Sequence, residues 1–230
     1  MPETRSYRGQ QAVRVEQQPG LPHATPVRLA ASDLLQRHAR EWRAATSHAF
    51  LDGVRDGRLP AGAFIAWLQQ DYLFVNDLLA FQARLLAKAP RSAQSVLTAG
   101  LVALDAELTW FEEQLTRRGL PLRAARHPTT DAYGVELDRL LTEPFEVGIS
   151  ALWALELAYL EAWYGTAPGA FEYREFVDHW TAPAFADYVA GLEVHVTDSP
   201  AAEAAVLRIV RLEREFWDMA LSASRTASGG

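Results

Sequence analysis

The 230-residue chain has no cysteine. That single absence removes disulfide frameworks, thiolate zinc sites, iron–sulfur clusters and cysteine nucleophiles together. No stretch approaches the roughly 18 consecutive apolar residues of a membrane span, and the N-terminal region lacks the apolar core of roughly 7–15 residues that a secretory signal needs. Excess positive charge is missing too: 22 Lys+Arg stand against 29 Asp+Glu, a net charge of −7. Nucleic-acid surfaces neutralise phosphates with Lys and Arg, so this balance argues against such a partner. The nucleophile elbow G-x-S-x-G, the dinucleotide fingerprint G-x-G-x-x-G and the P-loop are all absent. No Glu has His three residues on, the pairing that di-iron bundles place on their helices. His38, His48, His127, His179 and His195 are scattered along the chain. Only His38, on a helix, suits an axial haem ligand, and its simpler reading is a half-buried helix histidine. The expectation is a cytoplasmic protein with no metal, no cofactor, no nucleic acid and no membrane partner.

What is present is ordinary globular composition, 49% apolar and 22% charged, enough for one sizeable core. Residues 1–27 mix Arg5, Arg8 and Arg14 with Gln, Pro and Gly and read as a tail; residues 222–230 read as a second. Between them, over 28–221, apolar residues recur at three and four, and no alternating strand run occurs. The spacing predicts helices from Leu29 to Ser47, Ala61 to Lys88, Ser92 to Arg118, Pro144 to Tyr164 and from Pro200 to Ser222. Shorter helices are expected after a Thr129 or Thr130 cap and over Phe171–Trp180 and Pro183–Val196. On the second long helix Val96, Leu101, Leu104, Leu108, Phe111 and Leu115 are expected inward, with Glu107 and Glu112-Glu113 on the solvated face. The class is an all-α bundle in a single domain.

Three acids fall in the middle of apolar stripes. Asp71 sits among Phe64, Trp67, Phe74 and Leu78; Glu156 among Ile149, Leu152, Tyr159 and Trp163; Glu213 among Val206, Ile209, Phe216 and Ala220. A buried acid is usually held by a cation or a backbone amide, and Arg84 and Arg139 are available as partners. The other reading is one polar pocket in the bundle core, with Tyr133, Tyr159 and Trp180 nearby. Glu161 is equally able to face a different helix.

Trp42, then Ser47-His48-Ala49-Phe50, Asp56-Gly57-Arg58-Leu59-Pro60, Phe64 and Gln70-Asp71-Tyr72-Leu73-Phe74 follow one another in order. Together with Ala151-Leu-Trp-Ala-Leu-Glu156-x-x-Tyr159 and Leu212-Glu213-Arg-Glu-Phe-Trp217, they resemble the TenA/Thi-4 (thiaminase II) family over about residues 30–221. Ala49 replaces the family's usual Pro, and the cysteine nucleophile of its better-known branch is absent. Leu155-Glu156 occupies that neighbourhood, so the chain resembles the cysteine-lacking, Glu-type branch. The resemblance implies a haem-oxygenase-like helical bundle that forms dimers or tetramers and hydrolyses aminopyrimidines of thiamin salvage without metal or haem. It implies that Asp71 binds the aminopyrimidine edge, Glu213 faces a ring nitrogen, and Glu156 serves as acid, base or carboxylate nucleophile. Tyr133, Tyr159 and Trp180 would shape the pocket, with Phe74 standing where relatives often carry Tyr. A non-catalytic pyrimidine-binding protein and a redox protein on the haem-oxygenase fold are the alternatives.

Overall fold

Proline opens most of the long helices, because its fixed φ suits a first turn whose N–H groups have no helical partner. In the computed structural model, which describes residues 25–226 and the side-chain surroundings of 31–223, these prolines divide ten α-helices. They are α1 (Thr25–Arg37), α2 (Ala39–Thr46), α3 (Ala49–Asp56), α4 (Ala61–Ala87), α5 (Arg91–Arg117), α6 (Pro128–Leu140), α7 (Phe145–Tyr164), α8 (Arg174–Trp180), α9 (Pro183–Glu193) and α10 (Pro200–Thr226), with a 3-10 turn over Phe171–Tyr173. Among the described residues there is no strand. Residues 1–24 and 227–230, parts of the expected tails, lie outside the described residues; 25–27 and 222–226 are helical.

Two boundaries differ from the periodicity. The first expected helix is two, because the backbone breaks at His38 before α2 starts. The cap of α6 is neither threonine: the His127 ring nitrogen Nδ1 accepts from the Thr129 amide at 3.1 Å, and Pro128 takes the first helical position. Apolar periodicity cannot mark such ends, since a cap acts through one local hydrogen bond. Ser199 caps α10, its hydroxyl accepting from the Ala202 amide at 3.2 Å.

Helix α7 is buried around almost its whole circumference, and α10 packs most extensively on α7 and α4, as α4 does on α5. One connected apolar cluster draws on all ten helices. On α5 the buried residues are Ala93, Leu97, Gly100, Leu104, Phe111, Gln114 and Leu115, so Leu104, Phe111 and Leu115 face inward as expected, whereas Val96, Leu101 and Leu108 are only half-buried. Gly100 carries no side chain where α9 approaches: a Cβ there would meet the Gln82 amide nitrogen at 2.2 Å and the Tyr188 hydroxyl at 2.6 Å. The space is used by Tyr188, which donates to Gln82 Oε1, while Gln82 Nε2 donates to the Leu97 carbonyl.

Gln70 ties the connection before α6 to α4. Its Nε2 donates to the Ala125 carbonyl at 2.9 Å, and its Oε1 accepts from the His127 amide at 2.9 Å and the Thr130 hydroxyl at 2.7 Å. Gln70→Leu keeps the volume and leaves three polar groups without that partner, at roughly 1–3 kcal/mol for each that stays buried. We expect a fall in Tm of several degrees or more, roughly 2–4 °C per kcal/mol for a domain of this size, measured by thermal unfolding.

Candidate active site

Asp71 on α4, Glu156 on α7 and Glu213 on α10 are 2%, 6% and 4% exposed, so each apolar stripe carries its acid into the interior. Asp71 and Glu156 line one cavity with Phe74, Leu155, Tyr159 and Trp180. Glu213 adjoins it through Tyr133, whose ring packs on Phe74 at 4.5 Å between centroids. The empty space of the cavity, partly open to solvent, is about 320 Å³, and the centre of a water-sized sphere reaches about 20 Å³ of it. It is a narrow slot.

No arginine, lysine or histidine forms an ion pair with these acids among the described residues. The expected partners lie outside: Arg84 pairs with Asp138, and Arg139 with Glu136 and Glu143. Aromatic donors take their place. Tyr159 donates to Asp71 Oδ2 at 2.6 Å, and Tyr133 to Glu213 Oε1 at 2.5 Å. Trp180 Nε1 donates to Glu107 Oε1 at 2.8 Å. Glu156 has no hydrogen-bond partner among the described residues, and its carboxylate lines the cavity.

Glu107 corrects the sequence reading. It was expected on the solvated face of α5, yet it lines the cavity and is the fourth acid there. The register explains it, since Leu97, Leu104 and Phe111 recur at seven with Gly100, Glu107 and Gln114 between them on the same inward stripe. A stripe alternating large apolar residues with Gly, Glu and Gln was the available signal. Phe185 on α9 also lines the cavity and was missed, because a lone Phe on a short helix is indistinguishable from core. The placement of Glu161 resolves the other way. It accepts from Trp42 Nε1 at 2.7 Å and is exposed, away from the cavity.

Burial without a counter-charge penalises every ionised carboxyl here. It raises Asp71 well above the usual range, against the opposing Tyr159 hydrogen bond, and Glu107 and Glu213 add to the rise. Glu156 is likewise raised well above its ordinary value, by burial first and then by Glu107 and Glu213. Glu107 and Glu213 are each pushed up to about 7 by burial, opposed by their Trp180 and Tyr133 hydrogen bonds. Like charges in one dry slot cannot all ionise, so the site is poised to hold protons or a cationic ligand.

The aromatic wall is packed ring on ring. Tyr159 meets Trp180 edge-on at 5.3 Å and stacks with Trp217 at 6.0 Å, and Trp180 stacks on Trp163 at 4.8 Å. Such walls suit a flat ring and fix the donors that face the acids. Among the described residues no three His, Cys, Asp or Glu side chains converge as a metal site. His38 is engaged by Glu203 Oε1 at 2.5 Å. No helix is long and apolar enough to cross a membrane among the described residues.

An all-helical bundle of haem-oxygenase-like fold, closed around a buried carboxylate pocket, is the class these features define. The chain belongs to the TENA/THI-4/PQQC family, whose pattern matches residues 35–223. It is similar to a Glycine max protein named "Probable bifunctional TENA-E protein", at 28% identity, with 80% of this chain and 90% of that one covered. Among solved structures it resembles a TenA homologue from Pyrococcus furiosus at 26% identity and a TM-score of 0.77, covering 83% of this chain and 99% of that one. A TenA family transcription regulator from Silicibacter sp. TM1040 shares the fold at 21% identity and a TM-score of 0.77, over 84% and 96% of the two chains.

The raised acids carry a stability consequence. Glu213 keeps its proton to about pH 7 in the folded protein but releases it near 4.5 once unfolded. Between those values the folded state holds the extra proton, so rising pH lowers stability across that window. Without ligand, the Tm of the wild type is expected to fall more steeply from about pH 5 to pH 8 than that of Glu213→Gln. Parallel curves would show that Glu213 does not titrate there.

Proposed function

We propose that this protein is a hydrolase of thiamin salvage. It converts 4-amino-5-aminomethyl-2-methylpyrimidine, or its N-formyl derivative, to the 5-hydroxymethyl pyrimidine. The observation that carries the reading is an aromatic slot lined by Asp71, Glu107 and Glu156, with Glu213 adjoining it and no basic side chain lining it among the described residues, Glu156 alone lacking a donor. A 4-aminopyrimidine presents an amidine edge that gains a proton readily, and a slot of raised acids is complementary to that cation. Family membership and the similarity to the TENA-E protein support the same reading.

In this scheme Asp71, held by Tyr159, accepts the exocyclic N–H of the substrate. Glu213, held by Tyr133, gives a proton to a ring nitrogen, which drains electron density from the 5-methylene carbon. The 5-aminomethyl nitrogen enters as its ammonium, so the carbon–nitrogen bond breaks with its electron pair on nitrogen and ammonia leaves; from the N-formyl derivative the group leaving is formamide, whose nitrogen takes its proton from a carboxyl of the slot. Water supplies the new carbon–oxygen bond and passes a proton to Glu156, which the bound cation holds ionised against the effect of burial and which no side chain engages, and the ring nitrogen returns its proton to Glu213. The residue before it, Leu155, is a buried apolar wall of the cavity. No side-chain thiol exists to add to the ring, so proton transfer between carboxyls bears the chemistry. The protein is expected to work as a homo-oligomer.

Product analysis after incubation with the aminomethyl pyrimidine, its formyl derivative and thiamin, side by side, tests the reading. Hydroxymethyl pyrimidine and ammonia from the first are expected; tight binding without turnover would reduce the protein to a pyrimidine-binding one.

Two substitutions separate the roles. Asp71→Asn should abolish measurable turnover while the fold melts no lower, since an amide keeps the shape and loses the charge. Glu156→Gln should lower kcat by roughly 10²–10⁴, the usual worth of a positioned acid or base, with little change in KM and one limb of the pH–rate profile lost. An unchanged kcat in Glu156→Gln would make that residue a structural acid.

A further inference from the structure

Beside the slot lies a second chamber between α5, α8 and α9, in which the centre of a water-sized sphere reaches about 300 Å³. Its walls are largely small and apolar: Ala103 and Ala106 from α5, Ala182 and Ala184 where α9 begins. Three residues line both spaces, Glu107, Trp180 and Phe185. Two of them are aromatic walls. Glu107 is therefore the charge-bearing group at the threshold.

Resting on the reading above, we propose that Glu107 is a specificity-determining residue, a subsite that selects a cationic amine on the substituent projecting from the bound ring toward the outer chamber. Asp71 and Glu213 are held by Tyr159 and Tyr133, and Glu107, Trp180 and Phe185 stand between the slot and the outer chamber, so a ring lodged against the first two acids has that chamber open to its 5-substituent. That substituent passes Glu107. One carboxylate oxygen is held by the Trp180 indole N–H at 2.8 Å, and no basic side chain neutralises the group. Glu156, 6% exposed and unpartnered, faces the same slot, so a bound ammonium would sit between acids with no competing cation. His179 supplies none either. Its ring stacks on Trp110 at 4.1 Å, and burial lowers its affinity for a proton. The alanine walls behind the threshold leave room for small alkyl groups on that nitrogen. A neutral amide or hydroxyl in the same place gains nothing from the charge.

The test compares three ligands of one ring: the aminomethyl pyrimidine, its N-methyl amine and the neutral hydroxymethyl pyrimidine. Calorimetric binding and, where turnover occurs, KM and kcat are measured for wild type, Glu107→Gln and Glu107→Asp. Wild type should prefer both amines. Glu107→Gln should weaken the amines by about 10- to 100-fold, the worth of a charged hydrogen bond, and the hydroxymethyl ligand by less than about threefold. Glu107→Asp, which keeps the charge, should retain most of the preference and guards against a Gln variant that fails to fold. Equal loss for all three ligands, an unchanged ratio in Glu107→Gln, or a preference lost as fully in Glu107→Asp would each overturn the proposal. Absence of turnover in wild type with the expected binding ratios would sink the hydrolase reading and leave this one standing. Turnover with unshifted ratios would do the reverse.

Discussion

Carboxyl groups held inside an apolar bundle without a cation are the constraint on which the site depends. Each ionised carboxylate in a dry interior costs several kcal/mol or else takes up a proton. Here phenol and indole donors reach three of the four acids and fix their geometry, yet none of these donors cancels a charge. The pocket is therefore an unsatisfied electrostatic environment by construction. It is stable as long as protons, or a ligand carrying positive charge, are available to it.

The rest of the architecture holds that arrangement still. Three long helices, α4, α7 and α10, present one acid each from the centre of a buried stripe, where helical spacing leaves little freedom of direction. Aromatic rings lock the donors: Trp180 lies between Trp163 and Tyr159, and Phe74 covers Tyr133. Gln70, next to Asp71 in sequence, faces the other way and pins the connection before α6, which carries Tyr133. Adjacent residues of one motif thus serve the loop and the pocket separately. Gly100 has the same scaffolding character, since its missing side chain lets Tyr188 set α9, and with it Phe185, against the cavity.

Much of this was legible in the residues. Period-three-and-four patterning is a property of the chain itself, and it placed the long helices and put Asp71, Glu156 and Glu213 inside, where the structure has them. The misreadings have two causes. Glu107 lies on a helix with apolar residues on several sides, so a shift of one position in the assumed register turned an inward acid outward. The cap at His127 is one local hydrogen bond and the break at His38 one residue of non-helical backbone, neither of which periodicity carries.

The sequence by itself determined the helical class, the absence of thiol chemistry and the burial of three acids, because composition and spacing are set before any contact forms. Whether those acids meet cations or one another was decided only by tertiary structure. Arg84 and Arg139 were available in the chain, but the packing of α4 against α6 pairs Arg84 with Asp138, and Arg139 pairs with Glu136 and Glu143 near it in sequence. The packing of α5 brought Glu107 to the slot, with a chamber beside it between α5, α8 and α9. Distance between side chains on different helices follows from how those helices cross, and no spacing along one chain encodes it.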